Sequence, residues 1–438
     1  MPRIVERLRP RGVLWRDADF LRFWSAQTVS QFGSQVSGIA LPFVAVLTIK
    51  ATAFQIAALS AVEFLPFVLL TLPAGVWVDR LRRRPLMIVA DWGRALALGS
   101  IPLAYALGGL TLAQLYVVGF VVGSFTVFFD LSYQSYLPSL VSRDHVGEGN
   151  TKLEFTTAAA QVSGPGIGGL LVNAVTAPYA IVADAVSFVA SALFASSIRK
   201  PEPDPPVHPG GRPKMRSEIA TGLRYVVRHP IMRPFLWQIA LQNFFINMVA
   251  ALLVVYAVRH LGLTAATVGL VFTLGNVGLL LGAPIAQRLA KRFGIGPTLV
   301  VGQFVSGASY LLVAVASRDL AIPLLALAGF CWSAGAILYF INGISLIQAI
   351  TPDRLLGRVN ASRRFVVWGV IPAGNLLGGL IAAEYGVHAA IWVGAIGGAL
   401  SILPLLLSPV RTIRTTEDAL ALSGPLNAEF DGPRSVGL

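Results

Sequence analysis

The chain has 438 residues, of which 55% are hydrophobic and only 13% are charged, and its formal net charge is +13. Soluble proteins carry about 25% charged residues, so this composition excludes an ordinary soluble globular protein and indicates a membrane protein with the lipid bilayer as its first partner. The single cysteine, Cys331, excludes an internal disulfide and a metal site built from several cysteines.

Twelve apolar stretches are long enough to cross a bilayer, which takes roughly 20 helical residues. The predicted spans are 23–48, 54–78, 85–108, 112–132, 151–174, 178–198, 232–258, 265–290, 296–316, 320–342, 361–383 and 388–408. The chain is therefore predicted to be an all-α membrane protein. Its regions are an N-terminal segment at 1–22, a six-helix bundle at 23–198, a linker at 199–231, a second six-helix bundle at 232–408 and a tail at 409–438.

The linker is polar and opens with a proline-rich stretch at 201–206, which does not fit a helix interior. Its second part, 217–229, is expected to form a short amphipathic helix on the membrane surface. The residues expected on the apolar side of that helix are Ile219, Leu223, Val226 and Val227. The tail is polar and has no hydrophobic periodicity, so it is predicted to be disordered.

Basic residues concentrate in the N-terminal segment, the linker and the even-numbered loops, whereas the opposite loops hold only Lys50, Arg259 and Arg318. Short loops rich in Lys and Arg stay on the cytoplasmic side, so both termini are predicted to be cytoplasmic in a multi-pass protein of the cell membrane. The same distribution accounts for the net charge of +13, and no nucleic-acid partner is expected.

The two predicted bundles carry an internal repeat, because residues 147–171 and 357–381 align at a constant offset of 210. The identical pairs are Gly147/Gly357, Asn150/Asn360, Phe155/Phe365, Gly164/Gly374, Gly168/Gly378, Gly169/Gly379 and Leu170/Leu380. Parallel repeats related by an axis along the membrane normal are typical of secondary transporters.

The loop between the second and third spans reads Gly75-Val76-Trp77-Val78-Asp79-Arg80-Leu81-Arg82-Arg83-Arg84-Pro85. It resembles the signature found between helices 2 and 3 in the major facilitator superfamily. Together with Asp91 and a Gly-Pro motif in the fifth span, it is similar to the branch that includes enterobactin and macrolide exporters. The resemblance implies the major facilitator fold of 12 transmembrane helices in two pseudo-symmetric six-helix bundles, a small-molecule substrate and a monomer.

The resemblance also implies a gating role for this loop. In similar transporters an arginine of the loop pairs with an acid on helix 4, and the loop aspartate faces the start of helix 11. Carried over, this gives a latch between Arg83 and Asp130, with Asp79 near the N-terminus of the eleventh helix, where a carboxylate is favoured. The gating residues are then Gly75, Asp79, Arg80, Arg83 and Asp130.

The fifth span contains Gly164-Pro165-Gly166-Ile167-Gly168-Gly169, which formally matches a dinucleotide fingerprint. That fingerprint requires a preceding strand in a soluble βαβ unit, so the match is rejected. Glycines four residues apart permit close helix packing, and a proline bends a helix. Gly164, Pro165, Gly168 and Gly169 resemble the helix 5 motif of antiporters in the superfamily. The basic residue that those antiporters carry in helix 4 is absent from 115–130.

Ionisable groups inside membrane spans are costly, so each is a candidate for proton coupling or substrate binding. Glu63 lies in the middle of the second span with no neutralising charge nearby in sequence, and the alternative is a carboxylate held by hydrogen bonds to another helix. Asp91 and Arg94 share one helix face, which favours a self-neutralising pair. Asp184 in the sixth span has an open role. Glu154 and the arginines Arg363 and Arg364 suggest an ion pair between the bundles.

The first and seventh spans carry polar but uncharged side chains beside aromatic rings, as small-molecule pockets do. The predicted cavity-lining residues are Gln27, Gln31, Gln35, Gln242, Asn243, Asn247 and Phe245. The alternative is that these side chains only form hydrogen bonds between helices.

All five histidines fall in loops or the linker, and no metal-ligand spacing, catalytic nucleophile motif or phosphate-binding loop appears. No cofactor, metal site or enzymatic activity is therefore expected, and energy must come from a gradient. The favoured hypothesis is export of an amphipathic small molecule (a drug, antibiotic or siderophore-like metabolite) by proton antiport with alternating access. The alternatives are proton-coupled uptake of a nutrient and a non-transporting membrane scaffold or receptor.

Overall fold

A computed structural model describes residues 12–78, 80–203 and 215–431, and every regular element in these ranges is helical. Twelve long helices are labelled α1 to α12. They are Ala18–Phe43, Ala53–Val78, Arg83–Ala106, Leu112–Leu140, Val146–Val175, Ala177–Ser197, Met232–Val255, Ala265–Phe293, Ile295–Ala314, Ala321–Ile350, Asp353–Tyr385 and Val387–Leu400. The predicted all-α fold class with twelve long helices is confirmed.

Eleven stretches in the described part of the chain are long and apolar enough to cross a membrane, and α5 is not among them. Glycines, threonines and Gln161 interrupt the apolar residues of α5. Other helices run past the predicted limits: α4 ends at Leu140 and α10 at Ile350, whereas the apolar stretches end at 132 and 342. Helical hydrogen bonding continues into polar sequence, which hydropathy alone does not detect.

The chain divides into two compact units. The first unit comprises Met1–Lys50 and Leu65–Val207, and the second comprises Ala51–Phe64 and His208–Leu438. The first part of α2 therefore groups with the second unit, whereas the predicted limits place all of α2 in the first bundle.

The helix contacts inside the two units follow one scheme. In the first unit α1 packs on α5 and α6, and α3 packs on α4 and α6. In the second unit α7 packs on α11 and α12, and α9 packs on α10 and α12. Helices α1 and α7 both end in a π-helical turn, at Val44–Thr48 and Tyr256–His260. The repeat detected in the sequence is thus a repeat of the packing as well.

The paired glycines are sites of close approach in this scheme. A Cβ on Gly164 of α5 would lie 2.4 Å from the Cβ of Gln35 in α1. A Cβ on Gly374 of α11 would lie 2.3 Å from the carbonyl oxygen of Phe244 in α7. Only glycine permits these helix contacts, which is why the same residue recurs in both halves.

The tail was predicted to be disordered, but the structure forms a helix over Thr416–Asp431, here called the tail helix. Its start is a reciprocal cap: the Thr415 N–H donates to Asp418 Oδ2 at 2.9 Å, and the Asp418 N–H donates to Thr415 Oγ1 at 3.3 Å. Backbone N–H donors, from Thr415 first and also from Arg414, lower the pKa of Asp418. Composition and hydrophobic periodicity do not reveal such a cap, which depends on two side chains three residues apart. Residues 432–438 lie outside the described part.

The linker helix forms over Met215–Arg228, but its buried side differs from the prediction. Tyr225 and Val226 are fully buried in a cluster with residues of α11, whereas Leu223 and Val227 are exposed. A Cβ on Gly222 would lie 2.5 Å from the carbonyl oxygen of Arg358 in α11. Packing on α11 therefore selects the buried side of this helix. The side chain of Ile219 and residues 204–214 lie outside the described part.

His229 connects the linker helix to α7 and is fully buried. Its Nδ1 accepts backbone N–H bonds from Ile231 at 3.1 Å and Met232 at 3.3 Å, and its ring lies 5.3 Å from that of Tyr225. Burial lowers the pKa of His229 to about 4. The neutral imidazole is required here, because a protonated Nδ1 accepts no hydrogen bond.

We expect acid to destabilise the protein through His229. The folded-state pKa lies below the unfolded value of about 6.5, so the unfolded state binds more protons between these values and stability falls as pH decreases. At pH 5 this difference in proton binding lowers the free energy of unfolding by about 2 kcal/mol. Thermal unfolding in micelles at pH 7.5 and 5.0 measures this effect. The unfolding temperature should fall less between these pH values in His229→Asn than in the wild type. An equal decrease would contradict this role.

The turn before α6 contains backbone strain that the turn before α12 avoids. Thr176 has φ 74° and ψ 157°, and Gly386, exactly one repeat later, has φ 89° and ψ 157°. This region is essentially restricted to glycine and costs other residues about 1–3 kcal/mol.

Gly386→Thr should therefore lower the free energy of unfolding by about 1–3 kcal/mol. The reciprocal variant Thr176→Gly should raise it, by less, because glycine also gains entropy when unfolded. Thermal melting of both purified variants measures the effect. Destabilisation by Thr176→Gly would show that the threonine is not strained.

Candidate functional site

The first unit contains a buried ion cluster formed by α3, α4 and α6. Asp91 Oδ1 accepts a hydrogen bond from Arg94 Nη2, and Asp91 Oδ2 accepts one from Ser191 Oγ at 2.7 Å. The Arg94 guanidinium lies between two aromatic rings, 4.2 Å from the centroid of Phe129 and 4.1 Å from that of Phe188. The predicted pair thus exists, and cation–π contacts stabilise its cation in addition.

Asp184 adds a second carboxylate to this region. It is 1% exposed, and Ser187 Oγ donates to its Oδ1 at 3.0 Å. It faces α1 at Gly33, where a Cβ would lie 2.6 Å from the Asp184 Oδ1. The absence of a side chain at Gly33 therefore leaves the room that Asp184 and Ser187 occupy.

The charges of this cluster do not cancel when both carboxylates are ionised. Asp91 and Arg94 neutralise each other, and Asp184 then remains as a buried negative charge held by a hydroxyl. A buried charge without a counter-ion is costly, and protonation removes that cost. The chemistry that this arrangement permits is the binding and release of a proton at Asp184.

Glu63 lies in the part of α2 that belongs to the second unit, and its side chain is partly buried. It has no hydrogen bond or ion pair to any described residue. The alternative considered from the sequence, a carboxylate held by a neighbouring helix, is thus not what the structure shows.

The second unit contains a cavity of about 200 Å³ between α7, α9, α10 and α11, here called the polar cavity. Of the predicted cavity residues, Gln242 and Asn243 line it. The side chains on its wall are Phe235, Ile239, Gln242, Asn243, Ile246, Gln303, Ser306, Trp332, Ala336, Tyr339, Phe340, Ile344, Ile347 and Arg363. Trp332 also lines a second, apolar cavity of about 150 Å³ in the same unit.

A chain of hydrogen bonds fixes one wall of the polar cavity. Gln238 Nε2 donates to Gln242 Oε1 at 2.8 Å, and Gln242 Nε2 donates to Ser306 Oγ at 3.0 Å. Asn243 instead donates to the carbonyl oxygen of Ile239 in its own helix. This chain of hydrogen bonds joins α7 to α9, whereas the Asn243 side chain bonds only within α7 among the described residues.

The other predicted cavity residues lie elsewhere. Gln27 is buried, and its Oε1 has no hydrogen-bond partner in the described part of the chain. Gln31 is partly buried, and Gln35 packs against Gly164. Asn247 donates to the carbonyl oxygen of Asn243. The ring of Phe245 packs against Gly397 of α12, where an added Cβ would lie 2.2 Å from the ring. Phe245 therefore forms a contact between helices and does not line the polar cavity.

The predicted latch between Arg83 and Asp130 is wrong for this structure, because Arg83 binds Glu202. The backbone N–H groups of Arg83 and Arg84 donate to the Glu202 carboxylate at 2.7 and 3.0 Å, and Arg83 Nη1 lies 3.9 Å from it. The N-terminus of α3 favours a carboxylate, and Glu202 supplies it. Glu202 lies in the proline-rich stretch, where local sequence does not indicate a helix-capping role.

Other residues of the gating loop fall at the same end of the first unit. Arg84 donates to the carbonyl oxygens of Ala195 and Ser196 at the end of α6, at 2.9 and 2.5 Å. Arg80 is exposed, and a Cβ on Gly75 would meet open space. Asp79, the loop aspartate, lies outside the described residues.

The helix 5 motif lies inside the first unit, with Gly164, Pro165, Gly168 and Gly169 all buried. A Cβ on Gly168 would lie 3.1 Å from the Cα of Val36, so the motif faces α1. Helix α5 continues through Pro165. Among the described residues, no group of three or more His, Cys, Asp or Glu side chains could hold a metal ion.

The sequence that forms these helices matches a known family. The sequence profile of the Major Facilitator Superfamily matches residues 23–361 and 239–426. The chain belongs to the major facilitator superfamily. The protein is thus a multi-pass membrane transporter of a small molecule and not an enzyme, and the family expected from the loop signature is confirmed.

Several characterised relatives cover most of this major facilitator protein. The multidrug efflux pump Tap of Mycolicibacterium fortuitum is 25% identical over 86% of this chain and 91% of its own length. The multi-drug resistance efflux pump PmrA of Streptococcus pneumoniae is 26% identical over 80% of this chain and 84% of its own. The enterobactin exporter EntS of Escherichia coli is 26% identical over 80% of this chain and 82% of its own.

Solved structures show the same fold. A bacterial homologue of the iron transporter ferroportin, in an inward-facing state, has a TM-score of 0.69 at 17% identity and covers 91% of this chain and 99% of that one. The nucleoside transporter NupG has a TM-score of 0.64 at 12% identity, with coverages of 89% and 98%.

Removing one member of the Asp91–Arg94 pair should be strongly destabilising. Arg94→Gln leaves an uncompensated buried carboxylate, at a cost of about 3–5 kcal/mol. The double variant with Asp91→Asn should cost less than the sum of the single variants, as measured by unfolding in micelles.

The matched control is Arg22→Gln, which removes the cation of another aspartate–arginine pair three residues apart. Arg22 and Asp19 are 28% and 20% exposed, so the loss should be about 1 kcal/mol or less. Additive effects of Asp91→Asn and Arg94→Gln would show that the two side chains are not coupled.

Proposed function

We propose that this major facilitator protein exports an amphipathic small molecule, such as a drug, antibiotic or siderophore-like metabolite, in exchange for protons. The relatives support export as the direction of transport, because they are named as efflux pumps and an exporter. The similarity covers most of their length. Alternating access of two repeated halves is the mechanism that this fold uses.

The proposal of proton coupling depends mainly on Glu63. It is a carboxylate inside a membrane-spanning helix, and it has no partner among the described residues. Such a group is stable in apolar surroundings when protonated and in contact with water when ionised. It therefore gains and loses a proton as its access to water changes, which couples proton movement to the transport cycle.

Asp184 is the second candidate for the proton. It is fully buried and hydrogen-bonded by Ser187, whereas Glu63 is only partly buried and unbound. Glu63 is favoured because its protonation breaks no existing contact. Asp91 and Arg94 are assigned to the structure of the first bundle, since they already neutralise each other.

The remaining expectations follow from the sequence. The concentration of arginine and lysine in the even-numbered loops and the linker supports cytoplasmic termini. The family resemblance supports a monomer. Gln27, Gln31, Gln35 and Asn247 are proposed to contact substrate in states of the transport cycle in which their helices face water.

Uptake of a nutrient by proton symport remains the alternative, because the fold is the same and only the direction differs. A membrane scaffold has no use for an unbound carboxylate within a span, so it is disfavoured.

Inside-out vesicles test the proposal with a panel of fluorescent amphiphiles and an acidic lumen. We expect gradient-dependent accumulation of at least one dye, lost in Glu63→Gln. The control is Glu384→Gln, the same change at an exposed carboxylate of α11, which should transport normally.

Three outcomes contradict parts of this proposal. Undiminished accumulation in Glu63→Gln would move the proton to Asp184. Accumulation without any gradient dependence would remove antiport. Gradient-driven accumulation only in right-side-out vesicles would favour the symporter.

A further inference from the structure

The polar cavity contains a cation, Arg363, that has no counter-charge among the residues that the structure describes. Arg363 lines the cavity from α11, inside a membrane-spanning stretch. It has neither an ion pair nor a hydrogen bond to the described residues of its unit. Its neighbour Arg364 is exposed, with its guanidinium 5.8 Å from the centroid of the Trp368 ring. An uncompensated guanidinium within a span is costly, so a negative ligand would be stabilised beside it.

A second unused donor lies in the same wall. Tyr339 is 9% exposed, and its hydroxyl has no hydrogen-bond partner among the described residues. Its ring packs against that of Phe235, with centroids 5.7 Å apart, so the side chain is held in place. A buried hydroxyl usually has a partner. The cavity therefore offers a guanidinium fork and a phenolic O–H to an acceptor that a ligand supplies.

The remaining walls match an apolar body. Phe235, Trp332 and Phe340 contribute rings, and aliphatic side chains complete the lining. Gln303 Nε2 donates to Ser401 Oγ at 2.9 Å, and its Oε1 has no hydrogen-bond partner among the described residues. A donor on the ligand next to the acid group is therefore also accommodated. A bidentate contact between arginine and an oxyanion is the strong interaction in this set.

We propose that the polar cavity binds the oxyanion of an amphipathic aromatic acid, with Arg363 as its anchor and Tyr339 as a second donor. This inference rests on the proposed export function, for which it names the substrate class. The ion pair that the sequence suggests between Glu154 and the arginines Arg363 and Arg364 stays a prediction and is one outcome of the test. A lipid headgroup carries an oxyanion too, in its phosphate, and binding of a lipid in the cavity is a further outcome of the test.

The test is direct binding to the purified full-length protein in dodecyl maltoside micelles. The probes are 2-naphthoate and its neutral isostere 2-naphthamide, measured by equilibrium dialysis with empty micelles subtracted. Arg363→Gln should weaken naphthoate binding by about tenfold to a hundredfold, while naphthamide binding changes by less than about threefold. Tyr339→Phe, which removes only the hydroxyl, should weaken naphthoate binding by several-fold.

The matched control is Arg364→Gln, which removes the same charge one residue away on the exposed side. It should leave naphthoate binding within about twofold of the wild type, because exposed charges are screened. An equal loss in Arg364→Gln would show that only the surface potential matters and would overturn the proposal. So would unchanged binding in Arg363→Gln, or equal losses for the acid and the amide.

Two further arms separate the rival occupants. If the wild type binds naphthoate no better than Arg363→Gln does, and Glu154→Gln creates tight binding, Glu154 already occupies the arginine in an ion pair and the proposed subsite is not open to a ligand. If phosphatidylglycerol displaces naphthoate from the wild type, the site belongs to a lipid headgroup. None of these results depends on transport, so failure of the subsite and failure of the export function are distinguishable.

Discussion

The cost of an uncompensated charge in apolar surroundings organises this transporter. Where compensation is complete, the residues stabilise the fold: Asp91 is paired with Arg94, and Glu202 lies on the N-terminus of α3. Where compensation is incomplete, the residues are available for function. Glu63 and Arg363 are two charges of this second kind in the described part of the second unit. The same rule thus separates structural ions from candidate working ions.

The internal repeat shows which features of the packing the fold requires and which are free to differ. Both halves need acceptors at the N-terminus of their third helix, because the first N–H groups of a helix have no partner within it. The first half uses the Glu202 side chain, and the second uses the carbonyl oxygens of Arg414 and Ile413, which follow its last helix. The position of the cap is repeated although its chemistry is not.

The sequence predicted the fold well because hydropathy, charge distribution and the repeat all report on helices that cross a membrane. It predicted the Asp91–Arg94 pair, since that pair depends only on helical spacing. It failed for Arg83, because its partner Glu202 lies 119 residues away in a proline-rich stretch. It also failed for Phe245, whose direction around α7 is set by the bare surface at Gly397. Contacts that depend on distant backbone shape are not encoded in local pattern.

Trp332 has a consequence for the size of the molecules that this bundle accepts. Its indole is part of the wall of both cavities in the second unit, one of about 200 Å³ and one of about 150 Å³. Taken together, the two spaces reach the lower end of the range for drug-sized pockets, near 300 Å³. The space that these two cavities offer a ligand therefore depends on the position of one side chain. A change in the rotamer of Trp332 alters both cavities at once.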